Sequence, residues 1–246
     1  MYVKRRLKPF RGKELFFYEF ASGSGDLSRL LLDIGFQGAG FDLNSGACEK
    51  NRQKNKKDID SGRYKVRNEN FFETALARSA DLVACCMFLE HLPQPDVERF
   101  LTVCQRVLRP EGLLVVLVPA SAKHWGVEDE IAGHQRRYEF QDFREMAKKA
   151  GWRLRHLTGL TYPLSNWLLP FSNRLVRGHE GHLRNLSEQE RTVLSGDRQV
   201  PFKTVYPDFL RIFLNPVVLY PFYILQRLFR NHPDSLVIYA ELKKVF

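Results

Sequence analysis

Short apolar runs alternate with amphipathic stretches of helical length from Leu15 to about Leu160. This alternation is typical of βα units wound around a mostly parallel sheet. The predicted strands are Leu15–Phe20, Gly38–Asp42, Tyr64–Arg67, Asp81–Met87, Leu113–Val118, Trp152–Thr158 and Leu236–Leu242. The predicted helices are Asp26–Leu32, Ala47–Lys56, Val97–Leu108 and Glu139–Ala150. The pattern therefore predicts an α/β fold with a seven-stranded, mostly parallel sheet flanked by helices.

A long segment separates the last two predicted strands, where a minimal sheet needs only a short connection. Connections of this length usually carry function or form a subdomain. We therefore divide the chain into a basic segment (1–14), a core (15–160), a mostly helical inserted cap (161–235) and a final core strand (236–246).

Within the insertion, Tyr206–Arg230 is dense in aromatic and aliphatic residues, and Pro216 and Pro221 prevent one straight helix. Two interpretations stay open. The apolar side chains pack the insertion onto the sheet, or they form short helices in a membrane interface. In the second case, arginines at the helix edges meet anionic headgroups, and peripheral membrane contact through 206–230 follows.

Composition and charge narrow the class of protein. The 246 residues are 44% hydrophobic, as in a globular protein, which excludes intrinsic disorder. A net charge of +10 favours phosphate, anionic lipid or another acidic partner. We expect no secretory signal and no membrane span. The four cysteines lack metal-ligand spacing, so we expect reduced thiols and no metal in a cytoplasmic protein, at most peripheral at the inner face of the membrane.

A glycine-rich turn, Glu19-Phe-Ala-Ser-Gly-Ser-Gly-Asp26, joins the first predicted strand to a helix. Small residues let backbone N–H groups approach a ligand, and the helix start adds a positive electrostatic end. The next strand ends at Asp42, near the offset expected of an acid that binds a ribose diol. Together the turn and Asp42 favour an adenosine-containing ligand, although each alone is also typical of an ordinary turn.

These residues resemble class I S-adenosylmethionine-dependent methyltransferases, of the group that includes ubiquinone and menaquinone biosynthesis enzymes. The resemblance spans roughly Leu15–Leu160, with Ala21 in place of the first glycine of the family's first motif. Phe88-Leu-Glu-His-Leu92 and Arg106-Val-Leu-Arg-Pro-Glu-Gly-Leu-Leu114 match two later blocks. The resemblance implies a Rossmann-like fold and S-adenosylmethionine as methyl donor. It also implies that the cofactor is bound by Glu19, Ala21, Ser22, Gly23, Gly25, Asp42, Leu43, Asn70, Phe71 and Met87.

Two histidines are candidates for a catalytic base. His91 follows the fourth strand, and His134 lies in a Gly-His-x-Arg-Arg-Tyr segment after the fifth strand that resembles one in related bacterial methyltransferases. Each is also explained as a residue that only supports its loop. The acidic run Glu128–Glu130 near Arg136 and Arg137 is typical of a solvated loop. A base helps an oxygen acceptor, whose proton must leave during transfer.

The favoured function is O-methylation of a bulky, lipid-linked or cell-envelope metabolite. The alternatives are an RNA-modifying methyltransferase, suggested by the charge, and a catalytically silent binding module. The aromatic residues of Tyr206–Phe229 cluster with aliphatic residues, as at an apolar interface, so nucleic acid is the weaker partner. The sequence does not indicate an oligomeric state or the acceptor.

Overall fold

The computed structural model describes residues 2–11, 13–76, 79–187, 190–191, 215 and 217–245. The strands are β1 (Phe16–Phe20), β2 (Gln37–Phe41), β3 (Tyr64–Arg67), β4 (Ala80–Cys86), β5 (Leu108–Pro119), β6 (Trp152–Leu160) and β7 (Val237–Lys244). The helices are α1 (Tyr2–Leu7), α2 (Asp26–Ile34), α3 (Ser45–Lys54), α4 (Lys56–Asp60), α5 (Gln94–Val107), α6 (Val127–Ala132), α7 (Phe140–Lys149), α8 (Leu164–Glu180) and α9 (Tyr220–Leu228).

The seven strands form one sheet in the order β3-β2-β1-β4-β5-β7-β6. The first five strands in this order run parallel, and β7 lies antiparallel between β5 and β6. The predicted mostly parallel sheet is confirmed. Because β1 lies between β2 and β4, the connections leaving β1 and β4 diverge at the carboxyl edge of the sheet. Open α/β sheets bind ligands at such a crevice.

The core has two layers, one on each face of the sheet. One layer contains a stack of aromatic rings, in which Phe20 lies 4.2 Å from Phe71 between ring centroids and contacts Phe100 edge-on. The other layer contains Phe17, Phe36 and the α2 leucines. Phe20 is the last residue of β1, so the aromatic stack of the first layer buries a large apolar area beneath the carboxyl edge of the sheet.

The prediction that set residues 1–14 apart from the core needs correction. Tyr2–Leu7 forms α1, whose Leu7 is buried in the second core layer. Arg6 donates two hydrogen bonds, at 2.8 and 2.7 Å, to the buried carboxylate of Glu241 on β7. The apolar residues at positions 2, 3 and 7 have helical spacing, but the basic residues between them make this periodicity hard to recognise in the sequence.

One predicted helix and the predicted insertion differ from the structure in where their helices begin and end. The predicted helix Ala47–Lys56 is two helices, α3 and α4, which meet at Asn55. In the insertion, α9 begins at Tyr220 with Pro221 in its first turn, where proline is tolerated. Most of the predicted apolar segment before residue 217 lies outside the described residues. In the part of the chain that is described, no helix is long and apolar enough to cross a bilayer.

Candidate functional site

The glycine-rich turn after β1 uses left-handed backbone conformations. Ala21, Gly23 and Gly25 have φ values of 54°, 48° and 78°. A Cβ on Gly25 would collide with the side chains of Asn51 and Asn55, whereas a Cβ on Gly23 meets none of the described atoms within 4 Å. Gly25 is therefore needed for packing, and Gly23 borders open space where a ligand can approach the backbone.

Asp42 follows β2 and holds the turn in place. Its Oδ2 accepts a hydrogen bond from the Gly23 N–H at 2.7 Å, and its Oδ1 accepts one from the Asn44 N–H at 2.8 Å. An ionised carboxylate has about four acceptor sites, so Asp42 can still accept hydroxyl hydrogen bonds. The structure thus brings together the two signals that the sequence predicted, Gly23 and Asp42.

Two exposed apolar side chains lie beside this turn. Leu43 follows β2 and is 67% exposed, and Met87 follows β4 and is 40% exposed. Met87 has a left-handed backbone, with φ of 52°. Because β2 and β4 flank β1 in the sheet, both side chains lie at the carboxyl edge on either side of the turn. Apolar side chains in this arrangement suit the faces of a planar, aromatic ligand group.

The structure changes the role expected of Glu19. Its carboxylate is buried beneath the turn, where it accepts a hydrogen bond from the Ser28 hydroxyl. Ser28 also bonds the Tyr64 hydroxyl at 2.6 Å, and Asn51 bonds both Tyr64 and Ser22 at 3.2 Å. Burial raises the pKa of Glu19 to about 8. Glu19 therefore supports the turn from below, and its contact with a donor stays a prediction.

Asn70 and Phe71 also have structural roles. Asn70 Oδ1 accepts a hydrogen bond from the Phe72 N–H at 3.1 Å, and its Nδ2 donates to Glu73 at 2.7 Å. Phe71 is buried and stacks on Phe20. Phe71 is thus packed beside the end of β1, and the contact of Asn70 and Phe71 with a donor stays a prediction.

The two predicted histidines meet at the same edge of the sheet, between β4 and β5, together with Glu90. Glu90 and His91 lie in a 3₁₀ turn, Leu89–His91, after β4, and His134 lies in the loop after α6. The rings of His91 and His134 are 4.8 Å apart between centroids and nearly perpendicular. The Gln135 N–H donates to the Glu90 carbonyl at 2.7 Å and so ties the two loops together. We call Glu90, His91 and His134 the Glu-His-His cluster.

Burial dominates the electrostatics of the Glu-His-His cluster. Burial, with a contribution from the nearby Asp129 charge, raises the pKa of Glu90 to about 8. Burial and the neighbouring His134 lower the pKa of His91 to about 4. Neither Glu90 oxygen, nor His91 Nδ1, has a hydrogen-bond partner among the described residues. Unpaired buried polar atoms are costly, and in native proteins they often indicate a ligand or an ion.

Asp129 holds His134 in position. His134 Nδ1 lies 2.8 Å from Asp129 Oδ1, and Arg137 donates two hydrogen bonds to the same carboxylate at 2.8 and 2.9 Å. Although burial raises it, these hydrogen bonds bring the pKa of Asp129 below its usual value. The interpretation of Glu128–Glu130 as a solvated loop is wrong for Asp129, which is fully buried on α6.

Sequence reasoning selected both histidines but missed Glu90 and Asp129 as parts of the site. A signal for Glu90 existed, because it lies beside His91 in a block whose other residues, Met87, Phe88, Leu89 and Leu92, are apolar. Asp129 had no such signal, since two other acidic residues flank it in sequence. Only the fold shows which of the three carboxylates points inward.

Exposed apolar side chains lie on the insertion, whose helix α8 packs against α6 of this site. α6 packs against α8 through Val127, Ile131 and Val176. The outer face of α8 exposes Trp167 and Phe171, and more than half of each side chain is accessible. Further exposed apolar side chains lie on α8, on α9 and beside α9, namely Leu168, Val217, Val218, Tyr220, Phe222, Leu228 and Phe229. We call these nine residues the apolar surface.

Comparison with protein families gives one match, the methyltransferase domain, over residues 6–157. A comparison with curated protein sequences found no match.

Several solved structures share the fold at low sequence identity. Phosphoethanolamine N-methyltransferase 2 of Haemonchus contortus, in complex with S-adenosyl-L-methionine, is 15% identical with a TM-score of 0.59, and the match covers 100% of this chain and 53% of that protein. Geranyl diphosphate C-methyltransferase of Streptomyces coelicolor is 10% identical with a TM-score of 0.59, covering 99% and 76% of the two chains. The [4+2]-cyclase SpnF is 12% identical with a TM-score of 0.59, covering 99% and 80%.

Proposed function

This chain belongs to the methyltransferase domain family and is an S-adenosylmethionine-dependent methyltransferase, and we propose that it methylates an oxygen atom of a bulky, lipid-linked acceptor. The observation that carries the proposal is the connection between the Glu-His-His cluster and the apolar surface. α6 carries Asp129, which orients His134, and the same helix packs against α8, which exposes Trp167 and Phe171. Membership of the ubiquinone and menaquinone group stays a prediction.

The donor lies over the glycine-rich turn in this proposal. The open space at Gly23 takes the part of the donor nearest the turn, and Asp42 accepts hydrogen bonds from the ribose hydroxyls. Leu43 and Met87 provide apolar contact to the adenine ring. Because Asp42 also binds the Gly23 N–H, the turn and the diol acceptor are positioned together before the donor arrives.

The transfer itself needs alignment more than strong catalysts, because the sulfonium already activates the methyl group. The acceptor oxygen forms a bond to the methyl carbon as the carbon–sulfur bond breaks and its electron pair stays on sulfur. The hydroxyl proton goes to the Glu-His-His cluster. In this cluster, Asp129 holds Nδ1 of His134, and Nε2 of the same ring faces Glu90. The low pKa of His91 keeps that ring neutral near pH 7.

A lipid-linked acceptor explains the apolar surface. Monomeric proteins rarely expose large contiguous apolar areas without a function. Exposed aromatic side chains on α8, with Arg174 and Arg177 on the same helix, suit a membrane interface. The net charge of +10 favours the anionic headgroups of such a surface. An acceptor held in the bilayer would then reach the cluster along α8 and α6.

The donor part is tested by calorimetry with S-adenosylhomocysteine. Gly23→Ala should abolish measurable binding, because the added methyl occupies ligand space. Gly62→Ala is the matched control, since Gly62 also has a positive φ and open space around its Cβ but lies in the turn before β3. Equal loss of affinity in both variants would assign the effect to backbone strain and contradict the proposed donor position.

The acceptor part is tested by methyl-label transfer from S-adenosylmethionine into a membrane-lipid fraction, an aqueous metabolite fraction and total RNA. We expect label in the lipid fraction, and sedimentation of the protein with anionic vesicles that weakens in Trp167→Ser/Phe171→Ser. Label only in the aqueous fraction would contradict the lipid-linked acceptor, and label in RNA would replace it with the RNA-modifying alternative. Absence of transfer into any fraction, with donor binding intact, would favour a silent binding module.

A further inference from the structure

The Glu-His-His cluster has the composition and spacing of a metal site. One carboxylate oxygen of Glu90 and one ring nitrogen each of His91 and His134 lie within 4.8 Å of one another. Ligands that share a zinc-like ion at bonds of about 2.0–2.2 Å lie at most ~4.4 Å apart, so small side-chain rotations bring these three atoms onto one ion.

The atoms that face the centre of the cluster are those without hydrogen bonds. Glu90 is fully buried, and both of its carboxylate oxygens lack a hydrogen-bond partner among the described residues. His91 Nδ1 is also buried and unpartnered there. His134 Nε2 faces Glu90 Oε1 at 3.9 Å, beyond hydrogen-bond distance. A cation would satisfy all these acceptor atoms at once.

The other side of each histidine is held as it is in metal sites. Metal-binding histidines usually donate their second ring N–H to a carboxylate or a backbone carbonyl, which fixes the tautomer and the ring orientation. His134 meets Asp129 through Nδ1, and Arg137 holds Asp129 in turn. The ring of His91 is held by the backbone of Gly133. One nitrogen of each ring lies within 4.8 Å of a Glu90 carboxylate oxygen.

We infer that Glu90, His91 and His134 bind one divalent transition-metal ion. Two imidazole nitrogens and one carboxylate suit Zn²⁺, Fe²⁺ or Co²⁺ better than Mg²⁺ or Ca²⁺, which prefer oxygen ligands alone. Three protein ligands leave at least one coordination position open on a four-coordinate ion. The sequence predicted no metal because the four cysteines lack metal-ligand spacing; Glu90 and His134 are far apart in the chain and meet only in the fold.

The inference deepens the proposed function and shares its site. With an ion bound, the cluster would act on the acceptor hydroxyl by lowering its pKa, and His134 would serve as a ligand and not as a free base. The binding of the ion itself does not depend on the identity of the acceptor. It can therefore be tested without turnover.

The experiment uses the full chain after treatment with a chelator, titrated with Co²⁺ while the visible absorption of the ion is recorded. We expect one Co²⁺ per chain with the intense bands of a low-symmetry nitrogen-containing site, and displacement by Zn²⁺ but not by Mg²⁺. Glu90→Gln, His91→Gln and His134→Gln should each weaken Co²⁺ binding by at least ~10–100-fold, the effect already seen for residues that only support ligands. His179→Gln, which changes an exposed histidine on α8, should bind as the wild type does.

S-adenosylhomocysteine binding by the same samples separates the possible failures. Variants that keep donor affinity are folded, so their loss of Co²⁺ supports the metal site. A wild-type protein that binds the donor but no stoichiometric Co²⁺ overturns this inference and leaves the proposed function standing. Co²⁺ binding that survives all three substitutions in the cluster overturns it as well. Loss of donor binding by the wild type would overturn the proposed function separately.

Discussion

Two buried glutamates, one under the glycine-rich turn and one in the Glu-His-His cluster, have similarly raised pKa values but different hydrogen-bond surroundings. Burial raises the pKa of both Glu19 and Glu90 to about 8. Glu19 accepts a hydrogen bond from Ser28, within a network that includes Tyr64. Glu90 has no hydrogen-bond partner for either oxygen among the described residues. The Glu19 carboxylate therefore has a hydrogen-bond partner without any ligand, whereas both Glu90 oxygens lack a partner among the described residues and are available to bind one.

The largest expected effect is on the acceptor side. His134→Gln should lower turnover by about 10²–10⁴, because the group that receives the hydroxyl proton, or binds the ion that acidifies the hydroxyl, is lost. Affinity for S-adenosylhomocysteine should stay unchanged. Single-turnover methyl transfer and calorimetry measure the two quantities, with His179→Gln as control. Turnover equal to that of the wild type would show that the cluster is not part of the reaction.

A smaller effect is expected on the donor side, where Asp42 both binds the turn and would accept the ribose hydroxyls. Asp42→Ala should weaken donor binding by ~1.5–3 kcal/mol, as for hydrogen bonds to a charged group. Asp60→Ala, which removes an exposed carboxylate on α4, is the control. Calorimetry in which Asp42→Ala and Asp60→Ala bind the donor equally would refute the assignment of Asp42.

The pH dependence of stability tests the two glutamates directly. An acid whose pKa is raised on folding contributes full stability below its unfolded pKa of 4.5, and that stability is lost as the pH rises toward 8. Each glutamate should contribute a slope of up to ~1.4 kcal/mol per pH unit in this interval. Glu19→Gln and Glu90→Gln should each flatten the curve from urea unfolding between pH 5 and 8.

The comparison predicts a difference between these two variants. A glutamine at 19 can still accept the Ser28 hydrogen bond through its carbonyl oxygen, so stability at pH 5 should change little. A glutamine at 90 adds two N–H donors to a site without partners, so it should be less stable than Glu19→Gln at pH 5. Identical curves for both variants would contradict the difference in hydrogen bonding.

The smallest expected effect is on the free energy of unfolding and concerns Ala21, the strained alanine of the glycine-rich turn. Ala21 has φ of 54°, and left-handed alanine costs about 1–2 kcal/mol, whereas glycine adopts this conformation freely. Ala21→Gly should raise the free energy of unfolding by roughly 0.5–1 kcal/mol after the greater chain entropy of glycine is included. Ala47→Gly, inside α3, should lower it by about 1 kcal/mol. Urea unfolding of both variants checks the opposite signs.

The sequence predicted the fold well because its signals are local. Strand and helix periods, the glycine-rich turn and Asp42 each depend on residues close together in the chain, and the structure confirms the predicted sheet. The Glu-His-His cluster depends on contacts between Glu90 and a loop more than 40 residues later, which no local pattern specifies. For the same reason, the burial of Asp129 and of Leu7 could not be predicted.

The antiparallel pairing of β6 and β7 has a consequence for the length of the insertion. Leu160 pairs with Val237, so the whole insertion is a loop between neighbouring strands of a hairpin. Its far end is fastened by the Arg230 carbonyl, which accepts hydrogen bonds from Thr158 and Gly159. Doubling the length of such a loop costs only ~0.6 kcal/mol in closure entropy. The length of this insertion can therefore change at little cost to the sheet that holds the glycine-rich turn.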